Sequence, residues 1–342
     1  MRKAFVTGCE GVALSAEERD FIRAERPWGL ILFARNIGTA AELRGLVDAF
    51  RALLDDAAAP VLIDQEGGRV QRLRAPFAPD YPSNAELGAL WHGSPERALR
   101  ATRLLSRMHA FDLSRFGIDI DCLPVVDVPV PGAHRVIGDR AFGGDPAAVG
   151  RLGRAACEGL LEGGVLPVVK HMPGHGRADA DSHFDLPTVG ATLDELDAHD
   201  FAPFRALRDM PIGMSAHVRY TAIDAERPGT LSPVVLGEIV RKRIGFDGLL
   251  LSDDVSMRAL GGSFGERTRR LLEAGCDIAL HCNGVMSEMR DVADAAPELA
   301  GRARERADAA LALRRAPAAS DEAAVRDEFH VLTGRRVERP AA

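Results

Sequence analysis

Apolar and polar positions alternate in blocks along this chain. Short continuous apolar runs are separated by longer stretches in which apolar residues recur every three or four positions. A continuous run suits a strand covered on both faces, and the wider spacing suits one stripe of a helix. The runs lie at 3–8, 29–33, 61–63, within 118–128, and at 165–169, 212–215, 248–251 and 277–280. Between them the pattern predicts a helix entered at Ser15, and others over 39–54, 96–115, 146–162, 192–208, 232–243 and 264–274. Ser15 is placed to cap its helix, with Glu18 closing a capping box. Ala- and Arg-rich helices end the chain, with a Pro/Ala/Ser linker near 316–320.

Eight apolar runs, each leading into a helical stretch, predict a single-domain (β/α)8 TIM barrel of the α/β class with extra C-terminal helices. The barrel is expected over 1–315, and a helical extension over 316–342, packed on it or trailing it. A doubly wound open sheet is the alternative, but no GxGxxG follows the first run. Polar clusters fall just after the runs: Asp64, Arg140, Lys170-His171, His217, Asp253 and Asn283. In a barrel those strand ends share one face, so residues far apart in sequence meet there.

The densest cluster is Lys170-His171-Met172-Pro173-Gly174-His175-Gly176, running on to Asp181-Ser182-His183. A buried run that opens into a loop rich in Gly, His and Asp holds titratable groups on a rigid support, where chemistry usually sits. The 342 residues contain 43 Lys and Arg, yet only Lys3, Lys170 and Lys242 are lysine. Lys170 therefore marks a place where a compact ammonium is needed.

Net charge is −7, with no basic stripe, which argues against a nucleic-acid partner and against an anionic membrane surface. No run approaches the ~20 apolar residues of a membrane helix. The apolar start of the chain is too short for a secretion signal and reads as a first strand. Five cysteines, Cys9, Cys122, Cys157, Cys276 and Cys282, form no CxxC pair. An odd, dispersed set suggests reduced, buried thiols and a cytoplasmic location.

Asp253, at the mouth of a buried run, is a candidate nucleophile, general base or metal ligand. Asp254 follows it and should point to the other side of the strand. Asp181 stands two residues from His183, close enough to orient the imidazole and favour its protonated form as a proton donor. Asp64, Arg72, Arg140, Lys170 and His171 supply donors and acceptors of the kind that vicinal hydroxyls require. His171 and His175 are four apart, but Pro173, Gly174 and Gly176 exclude the helix that a two-histidine metal motif needs. His171, His183 and Asp253 could still converge on a metal, so a metal-dependent barrel hydrolase stays open as an alternative.

The stretch from Lys170 to Gly176, with Asp181-Ser182-His183 and Pro187, resembles the signature of the glycoside hydrolase family 3 β-N-acetylglucosaminidases. Asp64-Gln65-Glu66-Gly67-Gly68-Arg69-Val70-Gln71-Arg72, Pro124-Val125-Val126-Asp127-Val128 and Ser252-Asp253-Asp254-Val255-Ser256-Met257 are similar to further blocks of that family, in the same order. The resemblance runs from Trp28-Gly29 to Cys282-Asn283. It implies Asp253 as nucleophile, His183 as acid/base with Asp181 as its partner, and Asp64, Arg72, Arg140, Lys170 and His171 as sugar-binding residues. It also implies a retaining mechanism without metal or cofactor, an N-acetylglucosaminyl muropeptide from cell-wall recycling as substrate, and a monomer or weak dimer. Two departures stand out: Met172, where an aromatic or branched residue is usual, and Gly284, where a second Asn is common. A glycoside phosphorylase acting at the same site, and a silent sugar-binding protein, are the other readings.

Overall fold

Eight parallel strands close into a barrel in a computed structural model that describes residues 1–182 and 185–340. They are β1 (Lys3–Thr7), β2 (Pro27–Leu32), β3 (Val61–Ile63), β4 (Ile120–Asp121), β5 (Leu166–Met172), β6 (Ile212–Ser215), β7 (Leu249–Asp254) and β8 (Ile278–Leu280). Each pairs with the next in sequence, and β8 pairs with β1. Leu30 lies opposite Val61 and Leu62 opposite Ile120, so the ladder carries from β2 through β4.

The apolar runs are continuous because the two sides of each strand are covered differently. Ile31, Leu62, Leu249 and Leu251 pack together inside the barrel. Their sequence neighbours Leu30, Leu32, Val61, Ile63 and Leu250 pack in the layer beneath the helices. Alternate residues thus face two separate cores, as strand geometry requires.

The surrounding helices are α1 (Ala16–Glu25), α2 (Ala40–Leu53), α3 (Pro95–Ser114), α4 (Pro146–Glu162), α5 (Val235–Ile244), α6 (Phe264–Ala274), α7 (Met286–Ala295) and α8 (Gly301–Ala312). Ser15 and Glu18 form the expected capping box, and Thr39–Glu42 and Ser263–Glu266 form others. These caps satisfy amide groups that a helix start leaves open. A last helix, α9 (Glu322–Thr333), packs on α3, and the linker before it bonds through the Ala318 amide to the Glu162 carbonyl.

Two expectations change. The helix expected over 192–208 is broken into three short turns, Leu193–Glu195, Leu196–Asp200 and Ala202–Ala206. Phe201 separates the last two, and Pro203, in the first turn of the third, supplies no amide to a helical ladder from the second. The strand expected within 118–128 pairs only at Ile120–Asp121, with one further bridge from Val125 to Lys170. Pro124 again removes a donor from the ladder.

Two small ladders decorate the C-terminal rim. Gln65–Gly67 and Val70–Gln71 form an antiparallel hairpin directly after β3. Thr188–Val189 pairs in parallel with Arg219–Tyr220. Both departures in the signature fit the packing. Met172 is buried against Gly213, where an added Cβ would come within 2.8 Å of its Cε. Gly284 has φ +73°, and a Cβ there would lie 2.4 Å from the Cys9 carbonyl carbon. That backbone suits glycine alone.

Candidate active site

β3, β5 and β7 end on one rim and deliver the first polar groups. Asp64 follows β3 directly, Lys170 and His171 belong to β5, and Asp253 belongs to β7. The ladder register shifts between Lys170 and Met172, and the consecutive side chains of Lys170 and His171 both reach the same cavity. That cavity is about 210 Å3 and is lined by Asp64, Arg72, Arg140, Lys170, His171, Asp181 and Asp253 among others. It is smaller than the roughly 300–1,000 Å3 of sites for drug-sized ligands, so it suits a single ring.

The charged residues form one connected cluster. Lys170 Nζ lies 2.8 Å from Asp64 Oδ1 and 2.7 Å from Glu66 Oε1. Arg72 Nη2 donates to Asp64 Oδ2 at 3.0 Å. Arg140 forms a bidentate pair with Glu66, both contacts at 2.8 Å. Burial alone would raise the Glu66 carboxyl, but Arg140 and Lys170 outweigh it and hold it down at about 2. Asp64 is likewise buried and is driven well below the usual carboxylate range by Lys170 and Arg72. Burial works against the charge on Lys170, and Asp64 and Glu66 more than restore it, leaving its pKa raised. Asp64, Glu66 and Lys170 are therefore all ionised at neutral pH. Each Asp64 oxygen is committed to one cation and keeps a lone-pair site for a hydroxyl donor.

His171 is oriented from behind. Its Nδ1 is 2.7 Å from Asp127 Oδ2, and Asp127 Oδ1 accepts from the His175 amide at 2.6 Å. Asp127 is fully buried, which would raise its pKa; His171 and His175 reverse the direction. A carboxylate can only accept, so Nδ1 of His171 carries the proton and Nε2 is presented to the cavity.

Asp253 sits against two imidazoles. Desolvation would raise its pKa, but the nearby His171 and His217 lower it, and the Asp254 amide donates to its Oδ1 at 2.8 Å. His217 is buried and its pKa falls through desolvation. Its Nε2 is 3.0 Å from the Asp254 carbonyl and its Nδ1 is 2.8 Å from the Thr230 hydroxyl. A carbonyl only accepts, so Nε2 of His217 carries a proton, while the Thr230 hydroxyl beside Nδ1 donates to the Ala216 carbonyl at 3.0 Å. The second carboxylate, Asp254, accepts from the Ser256 amide at 3.0 Å and the Cys282 amide at 3.2 Å. Both aspartates line the cavity, and Asp254 in addition braces the rim through those two amides.

The loop after β5 brings Asp181 and Ser182 to the cavity wall. His183 lies outside the described residues. Gly176 lets this loop pass close to the barrel: a Cβ there would be 2.1 Å from the Val128 carbonyl oxygen. Glu66, Asp127 and His175 were given no site role from the sequence, and His217 was placed among the strand-end clusters without one. Glu66 and Asp127 stand inside glycine-rich and apolar blocks, and what sets them apart is their partners, Lys170 and His171, which lie far along the chain. Among the described residues, no three His, Cys, Asp or Glu side chains are grouped to hold a metal ion. All five cysteines are buried and unpaired, and no helix of the described residues is long and apolar enough to cross a membrane.

Known proteins are similar to this chain in sequence and in fold. Residues 6–312 match the glycosyl hydrolase family 3 N-terminal domain. A beta-hexosaminidase of Thiobacillus denitrificans is 42% identical over 279 residues, covering 80% of this chain and 76% of that one. One from Aromatoleum aromaticum is 37% identical over 324 residues, covering 94% and 89%. The crystal structure of NagZ from Neisseria gonorrhoeae in complex with N-trifluoroacetyl-D-glucosamine superposes with a TM-score of 0.84 at 33% identity, over 97% of this chain and 96% of that one. Matches of this extent, on a barrel whose rim gathers these residues, place the chain in glycosyl hydrolase family 3, as a glycoside hydrolase of the beta-hexosaminidase group.

Proposed function

We propose that the protein is a retaining exo-β-N-acetylglucosaminidase. Asp253 is the nucleophile, His183 the acid/base and Asp181 its partner, and Asp64, Arg72, Arg140, Lys170 and His171 hold the sugar. The observation that carries this reading is the placement of Asp253: a buried carboxylate at the end of β7, in the wall of the same cavity as Asp64, Arg72, Lys170 and His171, with its pKa lowered against the effect of burial. A nucleophile must be anionic to attack, and burial by itself disfavours that form.

In the first step His183 gives its proton to the glycosidic oxygen. The bond from that oxygen to the anomeric carbon breaks, and an Asp253 oxygen bonds to the carbon. In the second step His183 takes a proton from water, the water oxygen attacks the same carbon, and Asp253 leaves as carboxylate. Two inversions retain the configuration. The usual pair is two carboxylates; a neutral His base adds no second negative charge next to the departing aspartate.

The sugar class is read from the relatives' names and from the N-acylated glucosamine bound to the Neisseria gonorrhoeae protein. The natural substrate on this reading is an N-acetylglucosaminyl anhydro-muropeptide from peptidoglycan, handled in the cytoplasm. Five unpaired buried thiols are consistent with a reducing compartment.

The test is turnover of 4-nitrophenyl N-acetyl-β-glucosaminide beside the matching glucoside and N-acetyl-β-galactosaminide. Preference for the first is expected, and equal rates on the glucoside overturn the assignment. A 2-fluoro glycosyl donor should leave its label on the peptide containing Asp253; a label elsewhere removes that residue from the role. Product analysis with and without inorganic phosphate separates hydrolysis from phosphorolysis.

A further inference from the structure

The last helix is fastened to the barrel through a buried cation. Along its outer side α9 makes ordinary surface pairs, such as Glu328 with Arg100 at 2.6 Å. Arg326 differs: it is only 5% exposed, and its guanidinium enters between α3 and the loop before it. Nη2 donates to Asp112 Oδ1 at 3.0 Å, and Nη1 lies 3.4 Å from the Tyr81 hydroxyl. Tyr81 donates to the other oxygen of Asp112.

Tyr81 is in turn the pin of the rim hairpin. Its amide donates to Gln71 Oε1 at 3.0 Å, and its carbonyl accepts from the Gly68 amide at 3.0 Å. The turn and the second arm of the 65–71 hairpin are therefore tied to one residue, whose side chain is held by α3 and α9. Asp64 stands immediately before that hairpin, Glu66 within it and Arg72 immediately after it. Gln65 closes the base, accepting from the Arg72 and Leu73 amides at 3.0 and 2.9 Å.

A buried ion pair is weak ground for stability, because desolvation consumes most of its attraction; its better-supported use is to select one arrangement. We infer that Arg326 is a positioning residue for the glycosidase reaction, acting through Tyr81 to fix the pose of the hairpin that carries Asp64, Glu66 and Arg72. The C-terminal helix, beyond the residues that match the family domain, is on this account part of the substrate-binding apparatus. The inference rests on Asp64 and Arg72 as sugar-binding residues.

The experiment compares wild type, R326M, Y81F, the double variant and D64A in the full chain. KM and kcat on 4-nitrophenyl N-acetyl-β-glucosaminide are read beside Kd for N-acetylglucosamine, with thermal melts to set a temperature at which each variant is folded. R326M and Y81F should each raise KM and Kd roughly three- to tenfold. Their kcat should stay within about twofold, since ground state and transition state lose the same contacts. The double variant should be no worse than the poorer single one, because both act through one path. Y81F keeps the ring and removes one hydroxyl, so it decides the matter alone if R326M does not fold. Unchanged KM and Kd in folded Y81F, or additive losses in the double variant, overturn the inference. If D64A also leaves KM and Kd unchanged, the sugar-site reading has failed and the linkage falls with it.

Discussion

His171 Nδ1 lies 2.7 Å from Asp127 Oδ2, and the same carboxylate holds the His175 amide with its other oxygen. One buried acceptor thus sets the ring of a cavity residue and the course of the loop beyond it. In D127N the shape is kept but one acceptor oxygen becomes a donor. Either the His175 amide loses its acceptor or the His171 ring must change tautomer. A buried group left unpaired costs about 1–3 kcal/mol, so kcat/KM should fall roughly 5- to 100-fold while the protein stays folded. An unchanged kcat/KM would show that His171 needs no such support.

Asp253 has a separate expectation. D253N should reduce turnover of the aryl substrate on the order of 10⁴-fold, because no neighbouring group replaces a lost nucleophile. H183A should lose far less on an activated aryl leaving group than on a natural disaccharide, since a good leaving group needs little protonation. Equal losses of H183A on both substrates would count against His183 as the acid.

Lys170 bears on stability as well as binding. Its ammonium lies within 2.8 Å of Asp64 and 2.7 Å of Glu66. K170M would leave two carboxylates facing each other, with Arg72 and Arg140 as the remaining cations. Breaking a buried pair from one side costs about 3–5 kcal/mol. Urea denaturation at neutral pH should report a loss of that order. Adding E66Q to K170M should recover part of it, and a further loss would contradict the repulsion argument.

His175 predicts an acid effect of defined sign. Burial keeps its folded-state pKa down at about 4, with Asp127 opposing the shift only in part. An unfolded histidine titrates near ~6.5. Between those values the unfolded chain takes up a proton that the folded chain refuses. The contribution of neutral His175 is complete above about pH 6.5 and is lost as the pH falls toward about 4, at up to ~1.4 kcal/mol per pH unit. Urea midpoints at pH 7 and pH 4.5 should therefore move apart less in H175N than in wild type. Glu66 acts lower: its contribution is full above the usual ~4.3 and disappears toward about 2. An H175N protein as acid-sensitive as wild type over pH 7 to 4.5 would refute the assignment.

The phase of the polar clusters made most of this site legible. Asp64, Lys170, His171 and Asp253 each follow or end an apolar run, and a closed parallel barrel leaves such positions only one rim to occupy. Arg72 and Arg140 are not at strand ends. They reach the cavity because a hairpin turns back over the rim and because Glu66, buried within it, anchors the guanidinium of Arg140. No local pattern distinguished Glu66 or Asp127 from a loop carboxylate, since their meaning comes from cations and imidazoles 104 and 44 residues away, Lys170 and His171 respectively. The broken helix around Pro203 shows the same limit. Its apolar spacing was helical, but Asp200 pairs at 2.6 Å with Arg177 of the loop after β5, and Pro203 packs toward Gly150 of α4.

The amino-acid sequence by itself determined the eight βα units, their caps and the chemical types gathered at the strand ends. Periodicity, capping and turn chemistry act over a few residues and are written in order along the chain. Tertiary structure alone decided which carboxylate meets which cation, that Asp254 accepts from the Cys282 amide, and that Arg326 reaches Tyr81 from the far end of the chain. Those choices follow from barrel closure and strand register, which bring distant residues within hydrogen-bonding distance and remove the water that would otherwise screen them.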